Sequence, residues 1–228
     1  MKTICLLSIL LGLPLAVQPA NAQNELELLT LDEQVWVAFY DVPSRRFRTV
    51  RDKFVVRDFE SAARDLDTSI AFLKVEAGRA ADELQPDLND VIKKLQTIRD
   101  SIATAEVTSS TLDLTFARTH WLLAQHFFVL ALNSRESGAH KNAGHYLWAT
   151  AHHVERAVLW SNARIDRKTV NSLESLRSLA NRLKSSSSPD RVYQDRPIRL
   201  AARTIISVGE HLDRSVRIAE LLSDETNR

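Results

Sequence analysis

Apolar residues recur at spacings of three and four along most of the chain, and no stretch alternates apolar with polar residues as a half-buried strand would. The pattern predicts eight amphipathic helices. The first covers Leu31–Tyr40, with Thr30 as N-cap and Glu33 three residues on in capping-box register, and Pro43 ends it. The others are expected over Ser44–Val56, Phe59–Ala80, Pro86–Ala103, Thr111–Asn133, Lys141–Ala163, Thr169–Lys184 and Pro197–Leu222. Pro86 suits the first turn of a helix, where its missing N–H costs nothing. Glycine is scarce after the N-terminal region, at positions 78, 138, 144 and 209 only. The Ser-rich stretch 185–196, with Pro189, reads as a linker, and the tail after Leu222 as frayed.

The predicted helices are related to one another. A shift of 81 positions (143 − 62) places Phe47 on Phe128, Ala62 on Ala143, Leu66 on Leu147 and Leu95 on Leu176 without a gap. Ser69 then meets Thr150, Leu73 meets Val154, and Ile92, Ile98 and Ile102 meet Leu173, Leu179 and Leu183. The matched positions face the expected core, as shared packing would require. The fold expected is therefore all-α: an antiparallel helical bundle or array over 23–184, made of two similar units, 31–104 and 111–184. The helix 197–222 is expected to pack on the second unit.

Composition changes the picture at the N-terminus. Lys2 precedes an uncharged apolar run, Ile4–Leu15, and Ala20-Asn21-Ala22 has the small-x-small form of a cleavage site, so residues 1–22 read as a secretory signal peptide. The run is shorter than the roughly 20 residues of a spanning helix. The expected mature chain starts at Gln23, is periplasmic or secreted, and has no transmembrane span. The single cysteine, Cys5, leaves with the signal, which excludes disulfides, thiolate metal sites and covalent haem attachment. The chain has 30 basic and 29 acidic residues, and loss of Lys2 brings the two into balance. That excludes a general nucleic-acid binder, which would be clearly basic.

Histidine is the residue type that most suggests chemistry. All seven lie in the second half, six of them between His120 and His153. His145, Trp148, His152 and Leu159 share one helix face, and Phe116, His120, Leu123, Phe127 and Leu130 form a stripe on the preceding helix. Imidazoles on facing helices could hold a transition metal or haem, with His120, His145, His152 and His153 as candidate ligands. The same pattern fits hydrogen-bonded histidines packed among aromatic rings. The repeat partners of His140, His145, His152 and His153 are Phe59, Arg64, Ala71 and Phe72, so the first unit would carry no such site. No Glu-x-x-His pair of the di-iron type is present. Arg45, Arg46, Arg48, Arg51 and Arg57 crowd one short helix with Lys53, and Arg196, Arg199 and Arg203 share a face of the last one. These clusters would suit an anionic lipid, glycan or acidic protein, or else a solvated face paired with nearby carboxylates. No Gly-x-Ser-x-Gly, phosphate loop, dinucleotide fingerprint or His-Glu-x-x-His is present, so nothing in the sequence argues for an enzyme.

The stretch Phe127-Phe128-x-x-Ala131…Gly138…Ala143…Leu147 resembles a tetratricopeptide-like helical hairpin, with small residues where two helices touch. Phe54…Asp58-Phe59-x-x-Ala62-Ala63-x-x-Leu66 has the same form, although the 81-residue period differs from that family's own. The overall pattern is also similar to exported helical proteins of the YfdX type, a resemblance that implies a role in stress responses. The expected function is that of an exported, non-catalytic helical protein that binds an envelope protein or a second copy of itself. No cofactor is expected. A histidine-based metal- or haem-binding bundle, and an arginine-based binder of anionic surfaces, stay open as alternatives.

Overall fold

The computed structural model describes residues 39–104, 106–185 and 195–226, with side chains through 215 in the last segment. The expected signal peptide, the Thr30 cap with most of the Leu31–Tyr40 helix, and most of the 185–196 linker lie outside the described residues. Seven helices and no strand occur among those described. They are α1 (Val42–Val55), α2 (Phe59–Arg79), α3 (Gln85–Ser101), α4 (Ser109–Glu136), α5 (His140–Trp160), α6 (Arg167–Ser185) and α7 (Asp195–Thr226).

Their ends follow local chemistry. Pro43 lies in the first turn of α1, so it opens that helix. The Asp58 carboxylate caps α2 by accepting from the Ser61 N–H at 3.2 Å, and the Ser61 hydroxyl, then this N–H, lower the Asp58 pKa. Thr108 caps α4 through the Thr111 N–H at 3.1 Å, which starts the helix two residues before the expected Thr111. Arg57, Gly138 and Asn162 take left-handed φ values of 62°, 77° and 54° just past the ends of α1, α4 and α5. Asn162 explains why α5 stops short of Ala163.

Helices α2 and α5 begin at Phe59 and His140 and end at Arg79 and Trp160, both 81 positions apart (140 − 59). Helices α1 and α4 end at Val55 and Glu136, the same spacing, and the left-handed residues Arg57 and Gly138 keep it too. Ala62 and Ala143, Leu66 and Leu147, and Leu95 and Leu176 are each fully buried. Ser69 and Thr150 are also buried, each donating its hydroxyl to the carbonyl four residues back. Phe47 and Phe128 part company, since Phe47 is buried and Phe128 only half-buried.

In packing order, α1, α2 and α3 follow one another, as do α4, α5 and α6. Helices α1 and α3 both rest on α4, and α7 lies against α4, α5 and α6. The core centres on Phe47, Phe116, Phe127, Leu66, Leu95, Leu112, Leu123, Leu147 and Leu176. Full burial of each such side chain is worth about 1.5–3 kcal/mol. Two close approaches set helix spacing. A Cβ on Gly144 of α5 would sit 2.7 Å from the Ala180 carbonyl of α6. A Cβ on Gly209 of α7 would sit 2.5 Å from the Trp121 ring, whose Nε1 donates to the Ile205 carbonyl at 2.8 Å. No described helix is long and apolar enough to cross a membrane.

The glycines supply a matched test. Gly144→Ala drives a methyl into backbone and should cost about 1–3 kcal/mol in urea denaturation. Gly78→Ala, where nothing lies within 4 Å of the new Cβ, should leave stability equal or raise it by up to about 1 kcal/mol.

Candidate functional site: a buried histidine core

Helix α4 buries side chains on nearly every side. Residues 120 and 126 are six apart, which turns them about 120° from each other around the helix axis. His120 faces α1 and α5, while His126 faces α2. The hydroxyls of Thr115 and Thr119 satisfy themselves on carbonyls four residues back. An imidazole cannot do this, so both histidines depend on tertiary partners.

His120 finds His153 of α5. Both are fully buried, their Nδ1 atoms lie 2.9 Å apart, and their rings stack with centroids at 5.1 Å. Phe47 meets His120 edge-on at 5.4 Å, and Phe127 lies within 5° of parallel to His153 at 5.3 Å. A hydrogen bond between two Nδ1 atoms needs one ring to donate and the other to accept. In the neutral pair, the donor ring then has a bare lone pair at Nε2 and the acceptor ring an N–H at Nε2. Neither Nε2 has a hydrogen-bond partner, at a cost of about 1–3 kcal/mol each.

Burial holds both rings well below the ordinary imidazole pKa of 6.5. For His120 the nearby His152 and Arg156 add to the effect. For His153 the neighbours His120, His152 and His126 add to it. The Tyr40 carbonyl acts the other way on His153, favouring its protonated form.

His152 lies beside the pair, 5.1 Å from the edge of Tyr40 and 5.2 Å from His153 between ring centroids. Its Nε2 is 2.7 Å from Ser44 Oγ, and burial, then Arg156, push its pKa down to about 4. Serine and histidine at this distance resemble a nucleophile and its base. Ser44 is buried, however, a pKa near 4 makes a weak base, and no carboxylate hydrogen-bonds His152 among the described residues. The contact ties α1 to α5. Tyr40 completes it by accepting from Trp148 Nε1 at 3.2 Å, and Lys184 lies over the Trp148 ring.

His145 stands apart from these three. It is half-buried, with a pKa lowered first by burial and then by Lys184 and Lys141. The structure thus brings together His120, His152 and His153 of the four candidate ligands. Among the described residues, no group of three or more His, Cys, Asp or Glu side chains is placed to hold a metal ion.

A second buried cluster joins α2, α4 and α5. His126 Nε2 lies 2.7 Å from Glu76 Oε2, both buried. Arg79 reaches the same carboxylate at 3.3 Å and donates to the Tyr146 hydroxyl of α5 at 3.1 Å. Glu76, Tyr40, Ser44 and Tyr146 were not singled out by the sequence pattern. For Glu76 a signal existed, since it stands on the apolar stripe of α2 with Leu66, Leu73 and Ala77.

The α1 arginines mostly serve ion pairs. Arg45 pairs with Asp41, Arg46 and Lys53 with the buried Asp65, and Arg51 with Asp113 of α4 at 2.9 Å. Arg48 and Arg57 are exposed.

His126→Leu strips one partner from a buried carboxylate and should cost about 3–5 kcal/mol. Glu76→Leu combined with His126→Leu should cost clearly less, and the double-mutant cycle measures their coupling. Comparisons with protein-family models, curated proteins and solved structures find no match for this chain.

Proposed function

We propose that this chain is an exported, non-catalytic helical protein that works in the cell envelope by binding another protein or a second copy of itself, and that its histidine core makes the fold responsive to acid. The observation that carries the acid response is the His120–His153 pair: two imidazoles, fully buried, bonded to each other, with both Nε2 atoms unsatisfied. Export rests on the leader pattern of residues 1–22. An extracytoplasmic protein meets external pH directly, which gives an acid-labile core a use and accords with the resemblance to stress-linked exported proteins. Two duplicated units are part of this reading, supported by the helix ends and left-handed turns that repeat at one spacing.

The direction of the response follows from linkage. Folding depresses the pKa values of His120, His152 and His153, so the unfolded chain takes up protons before the folded one does. Stability is therefore complete above about pH 6.5 and falls as pH drops below it. Each of the three histidines contributes a slope of up to about 1.4 kcal/mol per pH unit. The fall continues to about pH 4 for His152, and further for the other two. Facing charges sharpen this. At His152, Arg156 of α5 and Arg177 of α6 oppose protonation, while Glu155 of α5 and Asp41, just before α1, favour it.

Urea denaturation between pH 7.5 and 4.5 checks this reading. The wild-type midpoint should drop steeply below about pH 6.5. His120→Leu with His153→Phe keeps the ring stack on Phe127 and removes two titrating groups. It should be no less stable at pH 7.5 and distinctly more stable than wild type at pH 5. Equal pH slopes in the two proteins would reject the acid response. For the binding role, affinity capture from envelope extracts and sedimentation at pH 7.5 and 5 test for a partner or self-association.

A further inference from the structure

We propose that the groove between α6 and α7 binds a polyanionic chain carrying phosphate groups. This goes beyond the acid response and does not depend on it. The groove has a volume of about 830 Å³, and its walls carry Arg167, Lys168, Arg182 and Arg196 against a single carboxylate, Glu174. Several arginines elsewhere meet carboxylates across helices, as in Arg51–Asp113, Arg99–Asp67, Arg118–Asp213 and Arg177–Glu155. Among the described residues, none of the four groove cations has a carboxylate within ion-pair distance, and all four are exposed.

The layout argues for a chain of anions. Thr204 of α7 donates to Ser172 of α6 at 3.0 Å. Helix α7 runs antiparallel to α4, as Arg118–Asp213 and Arg135–Asp195 fix, and α4 and α6 each run antiparallel to α5, so α6 and α7 are antiparallel. Arg196 is eight residues before Thr204 and so stands near the Arg182 end of α6. Arg167 and Lys168 mark the other end. Fifteen residues of helix separate Arg167 from Arg182, a span of about 22 Å. One small anion reaches only one end, whereas a chain with repeated charges reaches both. Between the ends stand Asn171, Ser175, whose hydroxyl donates to the Asn171 carbonyl, and Ser178, whose hydroxyl accepts from Arg182 and keeps its own proton to donate.

Guanidinium forks with serine hydroxyls match tetrahedral oxyanions better than isolated carboxylates. Pro197 and Leu200 are the only apolar residues of the lining, the rest of its apolar surface being the stems of polar and charged side chains, so it lacks the row of side-chain pockets on which peptide grooves depend. A concave surface also fits a strand better than a flat membrane.

The test is a fluorescence titration of the purified protein with labelled inorganic polyphosphate long enough to span both ends. Inorganic phosphate and vesicles of phosphatidylglycerol or phosphatidylcholine form parallel arms. Saturable binding to polyphosphate is expected, weakening about 10- to 50-fold between 50 and 200 mM salt. Arg167→Gln with Arg196→Gln should weaken it at least tenfold, with an unchanged circular dichroism spectrum and melting curve. Arg48→Gln, an exposed change on α1, should leave it intact. The proposal is overturned by absence of polyphosphate binding, by equal loss in the Arg48 variant, by inorganic phosphate binding as tightly as the chain, or by binding confined to vesicles.

Discussion

The structure depends on how polar groups survive inside a helix that has almost no dry-to-wet division. Helix α4 is covered by α1, α3, α5 and α7, and twelve of its 28 residues are buried. Four of those twelve are polar. The two threonines return their hydroxyls to their own helix, but His120 and His126 have to be answered from outside it. Apolar side chains tolerate small rotations of neighbouring helices, whereas a buried hydrogen bond does not. The positions of His153 on α5 and Glu76 on α2 therefore pin the rotation of both helices about α4.

The two answers differ in kind. His126 meets a carboxylate that Arg79 also reaches, and Arg79 in turn holds Tyr146, so this cluster links α2, α4 and α5 through charge. His120 meets only another imidazole, and aromatic rings fill the space around the pair. Only the Tyr40 carbonyl favours a cation there, at His153, while burial and the neighbouring His152 and Arg156 oppose one. The His120–His153 arrangement is sound only while both rings stay neutral. A fold without cysteine in its described part has no covalent tie to hold the helices when that condition fails.

Surface charge follows a related division. Zero net charge in the expected mature chain is realised by cross-helix pairing, in which Asp65 takes both Arg46 and Lys53, and Arg51 binds α1 to α4. Arginines crowded in sequence on α1 are thus largely neutralised in space. The cations that outnumber carboxylates at one surface come instead from α6 and α7.

By itself the sequence determined the all-α class, the seven described helices to within a few residues, and the buried stripes. These are local properties. Apolar spacing sets which side of a helix is buried, and Asp58, Thr108, Gly138 and Asn162 set where helices begin or end. Tertiary structure alone decided who meets whom. His145 and His152 share a face, yet one lies by Lys184 and the other by Ser44, while His153, off that face, is the one that pairs with His120. Periodicity fixes a residue's angle about its own axis. The distance and rotation of the next helix are fixed by packing, here by the contacts at Gly144 and Gly209 and by the buried bonds of His120 and His126.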